Sequence, residues 1–199
     1  MSDVRTIDDL HRAVRSLAVH FDTDVVVIVG SQSVLLEWPD APVLMRTSGE
    51  IDAYPGNIRD WEAKNPGDLA SEEINVLFGW GSQFHDTFGF YIDGVDETTA
   101  KLPPDWQARA IMIDVDAHGK RVTALAPCPE DMVCAKLNRL VDKDRAYIEA
   151  RHRARPLDFG VIRERFRQTE PEREVLIAGL AFLDHLEGRT SSHNYSLDW

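Results

Sequence analysis

Cysteine is nearly absent from this chain: Cys128 and Cys134 are the only two in 199 residues. They do not form a CxxC pair, so no disulfide framework is expected, and both read as reduced thiols, with Cys134 in a helix core. No run of 18 apolar residues occurs, which removes a membrane-spanning helix from consideration. The first residues, MSDVRTIDDLHRAV, lack the basic start and apolar middle of a signal peptide, so a cytoplasmic location is expected. Basic charge is scarce. The 22 Lys and Arg stand against 34 Asp and Glu, for a net −12. A surface of that average charge repels nucleic acid, and any such contact needs a local basic patch. The histidines show no metal-ligand spacing, and there is neither an internal repeat nor a low-complexity segment.

What is present suits one domain with room for a helical appendage, since 43% of the residues are hydrophobic. The informative stretch runs from Asp24 to Pro55. Val25 to Val29 is an unbroken β-branched run, the pattern of a strand covered on both faces. It leads directly into Gly30-Ser31 and a short helical stretch to Glu37, which Trp38-Pro39 ends. Val43 to Arg46 reads as extended or loop, and Glu50 to Tyr54 as a second strand that pairs with the first. Glu50 and Asp52 are two residues apart on that strand and therefore share one side. Converging hard-oxygen ligands of this kind can hold the divalent ions used in phosphoryl and nucleotidyl transfer. The bland alternative is a solvated strand edge, and the preceding Gly-Ser tips the balance toward function. Ser31 stands where free backbone N–H groups and a hydroxyl can meet a phosphate, a role compatible with a helix N-cap.

The remaining pattern is legible as alternating elements. Leu10, Val14, Leu17 and Ala18 make one helical stripe between Thr6, an expected N-cap, and His20. Helical pieces are expected between Ile58 and Phe78, broken at Asn65-Pro66-Gly67-Asp68. Phe88 to Ile92 reads as a strand closed by the turn signal Asp93-Gly94. Trp80, Phe84, Phe88 and Tyr91 read as core rather than as a stacking platform, and His85 as structural rather than as a loop contact to a base or substrate. Ala108 to Val115 and Arg121 to Leu125 form a hairpin around His118-Gly119. Helices follow from Pro129, from Asp142 to Arg151, from Asp158 to Gln168 and from Pro171 to Leu186, and Ser191 to Trp199 is a polar tail. Residues 145 to 167 carry seven arginines against Glu149, Asp158 and Glu164, a net +4. Solvated helix faces paired with nearby acids explain that charge slightly better than a nucleic-acid patch does.

The run GSQSVL…TSGEIDAYP, then FHDTFGFYIDGV, LPPDW and LAPCPEDMVCAKLNRLVDKDRAYI, resembles the nucleotidyltransferase superfamily, which includes DNA polymerase beta and the minimal nucleotidyltransferases of toxin–antitoxin loci. Within it the chain looks like the DUF6036 nucleotidyltransferase-like family, from about Val25 to about Phe166. The resemblance implies an α/β (α+β) fold with a small mixed sheet flanked by helices. Residues 1–126 would be that core, 127–190 a C-terminal helical region and 191–199 the tail. It implies Mg²⁺ (or Mn²⁺), with Glu50 and Asp52 as metal ligands. A third carboxylate would come from a neighbouring strand, with Asp114 and Asp116 as candidates, Asp114 first. Gly30, Ser31 and Ser33 would bind phosphate. Lys136 and Lys143, which with Arg139 fall on one helix face, would offset phosphate charge. Glu50 departs from the aspartate usual at the first position of the pair. The function implied is transfer of NMP from an NTP to an RNA (tRNA among them), protein or small-molecule acceptor, in a toxin–antitoxin or phage-defence setting with a possible partner protein from a neighbouring gene. The alternative is a catalytically inactive module of the same fold that binds a partner. A metal-dependent phosphate hydrolase on the same carboxylates is a third, weaker reading.

Overall fold

The computed structural model describes residues 4–194, in two compact units. The first comprises residues up to Ala100 together with Gln107–Cys128, and the second comprises Lys101–Trp106 with the chain from Pro129 onward.

The first unit is built on a five-stranded mixed sheet of order β3-β2-β1-β5-β4. Strand β1 (Val25–Ile28) occupies the centre, as its apolar run requires, with Val26 and Ile28 fully buried. It pairs antiparallel with β2 (Glu50–Pro55) on one side and parallel with β5 (Lys120–Ala126) on the other. Strand β3 (Tyr91–Gly94) lies parallel to β2, and β4 (Ile111–Ala117) forms the opposite edge. The hairpin β4–β5 turns at His118 and Gly119, both at positive φ (58° and 88°), as a two-residue turn of the twist-compatible kind demands. Helix α1 (Ile7–Phe21) packs against the sheet with Leu10, Ala13, Val14 and Leu17 fully buried. Thr6 caps it by accepting from the Asp9 N–H, and the Asp9 carboxylate accepts from Thr6 in return.

After β1 the chain makes a 3-10 turn, Ser31–Ser33, and one α turn, α2 (Val34–Glu37). Val43–Arg46, expected to be extended or loop, is instead a single helical turn, α3, begun by Pro42 and burying Met45. Helices α4 (Ile58–Lys64) and α5 (Ala70–Phe78) follow, and the Glu62 carboxylate accepts from the Ala70 N–H to cap the second (3.0 Å). The strand expected from Phe88 begins only at Tyr91. Gln83–Phe88 is helix α6, ended by Gly89 at φ 74°.

The second unit holds α7 (Pro129–Leu137), α8 (Asp142–Ala154), α9 (Phe159–Gln168) and α10 (Arg173–Asn194). Cys134 is fully buried in α7, and its thiol lies 3.6 Å from the Ile162 carbonyl. Gly179 lets α10 close onto α9, since a Cβ there would meet the Phe166 ring at 2.5 Å. The first four residues of the expected tail, 191–194, continue α10, while the rest, 195–199, lie outside the described residues. Among the described residues no helix is long and apolar enough to cross a membrane.

Candidate active site

Three strands bring the candidate groups into one row. Because β1 and β2 run antiparallel, the end of β1 meets the first half of β2, and the Val29 N–H donates to the Asp52 carbonyl (3.0 Å). Gly30 follows at φ 66° and ψ −159°. A Cβ at this position would fall 1.8 Å from the Asp52 Oδ2, so the loop backbone lies directly against that carboxylate. Both the positive φ and the close approach demand glycine. Gly30→Ala is expected to destabilise the protein by about 1–3 kcal/mol and to displace Asp52. Denaturant unfolding checks the first effect, and a crystal structure of the variant checks the second.

On the other side of β2, the parallel register pairs Glu50 with Tyr91 and Asp52 with Asp93. Residues opposite one another in register share a face, so Glu50, Asp52, Tyr91 and Asp93 stand together. All four are half-buried, whereas the intervening Ile51, Ala53 and Ile92 are fully buried. The Tyr91 hydroxyl donates to Glu50 Oε2 at 2.6 Å. Burial first, then this hydrogen bond and the charges of Glu50, Asp93 and Asp52, push the Tyr91 phenol far above its ordinary value. Burial and then the Glu50 charge push the Asp93 carboxyl up as well. Like charge is therefore concentrated on this face.

Asp93 was not read as a site residue from the sequence, because Asp93-Gly94 looks like a hairpin turn. Both residues lie within β3, in register with Asp52 and Ala53 of β2. Gly94 has a packing reason instead: a Cβ there would meet the Ser71 carbonyl of α5 at 2.2 Å. The legible signal was the alternation Tyr91-Ile92-Asp93-Gly94, which repeats the polar–apolar order of Glu50-Ile51-Asp52-Ala53.

Asp114 does not join the row. It lies on β4, at the far edge of the sheet, with β1 and β5 between it and β2. It is exposed, 3.7 Å from Arg121, and Asp116 on the same strand accepts from the Gly119 N–H. Ser31 follows Gly30 directly and is half-buried. Ser33 is buried and its hydroxyl donates to the Gly30 carbonyl at 2.8 Å, so it braces the loop rather than facing a ligand. The helix expected after Gly30 is a 3-10 turn and a single α turn, too short for its dipole to weigh heavily.

Lys136 and Lys143 do not share a helix face. The chain breaks between α7 and α8, where Leu140 adopts φ 47°. Lys143 is exposed in the first turn of α8. Lys136, only 3% exposed, is held by Asp144 (3.3 Å) and lies over the Tyr147 ring (4.3 Å). The arginine-rich segment is also partly committed. Arg151 is buried and donates to the Arg155 carbonyl, Arg163 binds Asp184 and Glu187, and Arg165 binds Asp131. Arg153, Arg155 and Arg167 are exposed.

No curated protein and no solved structure matches the chain. Residues 5–178 match the sequence profile described as "Nucleotidyltransferase of unknown function (DUF6036)", and the chain therefore belongs to that nucleotidyltransferase family.

Proposed function

We propose that the protein transfers a nucleoside monophosphate from an NTP to an acceptor hydroxyl, with Mg²⁺ (or Mn²⁺), on the row formed by Asp52 and Asp93. The observation that carries this reading is their register: two carboxylates directly opposite on adjacent strands, with Gly30 packed against one and Glu50 beside both. The donors fit a hard divalent cation, since every group is a carboxylate oxygen. Among the described residues no three His, Cys, Asp or Glu side chains are gathered closely enough to hold an ion by themselves. Phosphate oxygens of the nucleotide complete the set in this reading, as is usual for Mg²⁺. When bound, the ion neutralises charge that develops on the transferred phosphate and the departing pyrophosphate.

The chain's own groups do the rest. Gly30 admits the nucleotide phosphates to the backbone amides, and Ser31 adds a hydroxyl. Asp52 and Asp93 present the metal ligands. Tyr91 fixes the orientation of Glu50 through its bond to Oε2. The direct test is incubation with each labelled NTP, with and without Mg²⁺, followed by label transfer to candidate acceptors. Metal-dependent transfer is the expected result.

A specific observation favours a second reading. Glu50 stands where active relatives of the superfamily carry aspartate, and Tyr91 already engages it. A catalytically inactive module of the same fold, which binds a partner protein encoded beside it in a toxin–antitoxin or phage-defence locus, accounts for that bond equally well. Absence of turnover with all four NTPs and every acceptor class would select this reading.

If the acceptor is RNA, the exposed Arg153, Arg155 and Arg167 are its phosphate contacts on a chain of net charge −12. Their joint replacement by Gln is then expected to lower the salt dependence of RNA binding by roughly two log units of affinity per log unit of salt. Arg151 is left in place because it is buried. An unchanged slope in a binding titration would place the RNA elsewhere.

A further inference from the structure

Trp80 contradicts its expected place in the core, for it is 75% exposed. The backbone holds it there. Gly79 passes so close to α5 that a Cβ would meet the Asn75 carbonyl at 2.2 Å, and Gly81 sits at φ 77°. The turn between α5 and α6 therefore lifts the indole away from the fold. It does not stand alone. His85 lies 4.5 Å from it at a 38° tilt, and Tyr91 meets it edge-on at 5.5 Å. His85 and Tyr91 are 5.6 Å apart, so the three rings touch pairwise. The Gly81 N–H donates to His85 Nδ1 (3.1 Å), which orients that ring and places the proton of the neutral imidazole on Nε2.

The cluster is continuous with the carboxylate row. Tyr91 is a member of both: its ring meets Trp80, and its hydroxyl binds Glu50. Along β2, Asp52 lies two residues, roughly 7 Å, beyond Glu50. Phosphates at Gly30 and Asp52 would thus be followed, in the direction of Glu50, by an aromatic surface. Stacking on an indole suits any nucleobase, because every base has a π-face. The surroundings choose between a base of the nucleotide substrate and a base of a nucleic-acid strand. Glu50, Asp52 and Asp93 line the row that Tyr91 shares with the cluster, and their charge opposes a polyanionic strand. A single nucleotide, whose phosphates arrive with metal, meets no such barrier.

The geometry points to Trp80, backed by His85 and Tyr91, as the platform on which the base of the bound nucleotide stacks. This rests on the nucleotide-transfer reading of the same site and adds where the base goes and what holds it. It also predicts tolerance among the four bases with purines bound more tightly, since stacking strength rather than edge recognition sets the preference.

The test is isothermal titration with Mg²⁺, using each of the four NTPs and, as a base-free probe, inorganic tripolyphosphate. Trp80→Ala is expected to weaken NTP binding about tenfold or more and to leave tripolyphosphate binding unchanged. Trp80→Phe should recover most of the loss. The exposure of the indole means neither change should lower the melting temperature appreciably, which circular dichroism verifies. NTP affinity that Trp80→Ala leaves intact would overturn the platform while sparing the carboxylate site. Equal loss for NTP and tripolyphosphate would overturn it too, because the effect would not belong to the base. Failure of the wild type to bind either probe would overturn the nucleotide reading and the platform with it.

Discussion

Asp52→Asn and Asp93→Asn are each expected to reduce nucleotidyl transfer by on the order of a hundredfold or more, with the fold intact. Asparagine keeps the size of the side chain and one carbonyl oxygen but removes the charge that a hard dication requires. Metal stabilisation of transferring phosphate is worth several kcal/mol, and each ~1.4 kcal/mol is a factor of ten in rate. Stability should move the other way. Burial and the Glu50 charge hold the Asp93 carboxyl above its ordinary range, so the folded state binds that proton more tightly than the unfolded state does. The ionised form therefore costs stability at neutral pH, and the cost fades as pH falls through the folded pKa. Asp93→Asn should accordingly melt at or above the wild-type temperature at pH 7, with the advantage shrinking in acid. Asp114→Asn is the control, because β1 and β5 separate it from the row, and its rate should equal the wild type. Transfer that survives Asp52→Asn would refute the metal mechanism.

The comparison of Asp93 with Asp114 also marks how far the sequence alone could be read. The β-branched run at Val25 and the glycine that ends it announced the central strand and its loop, and the Glu50–Asp52 spacing announced a shared face. These are local signals, written in periods of two and in the conformational demands of one residue. The partner of β2 was not local. Its identity depends on a parallel pairing set by a crossover that runs from Pro55 to Tyr91, and no period within Tyr91–Gly94 reports which strand lies beside it. Asp114 sits in an equally good alternating strand but pairs only with β5. Lys136 fails for a related reason. Its spacing to Lys143 is helical in sequence, but the helix stops at Leu137, and the break at Leu140 has no glycine or proline to announce it. Trp80 was misread because hydrophobicity alone predicts burial, whereas the two flanking glycines, which set its exposure, act through backbone geometry.

Removal of Asp144 should have the largest effect on stability outside the site. The side chain is fully buried, and both of its oxygens are engaged: Arg139 binds Oδ2 through Nε and Oδ1 through a terminal nitrogen, each at 2.8 Å, while Lys136 approaches Oδ1 at 3.3 Å. Burial alone would push this carboxyl up. The Arg139 hydrogen bonds and the Lys136 and Arg139 charges outweigh that and hold it below the usual carboxylate range. Asp144→Ala leaves the Lys136 ammonium buried without the Asp144 countercharge, a situation that costs about 3–5 kcal/mol in comparable buried pairs. That is a large share of the 5–15 kcal/mol typical of a whole domain, so denaturant midpoints should fall sharply. Arg139, 56% exposed, can turn to solvent and adds little to the loss. Replacing the pair together, Lys136→Met with Asp144→Leu, should lie much closer to wild type, because no uncompensated charge remains inside. The pH dependence follows from the depressed carboxyl. Its contribution is complete above the unfolded pKa of about 4 and is lost as pH falls through the lower, folded value. The gap between wild type and Asp144→Ala should thus narrow below about pH 4. A loss under about 1 kcal/mol at neutral pH, the scale of an exposed ion pair, would show that Lys136 is not confined as the structure places it and would return it to the list of phosphate ligands.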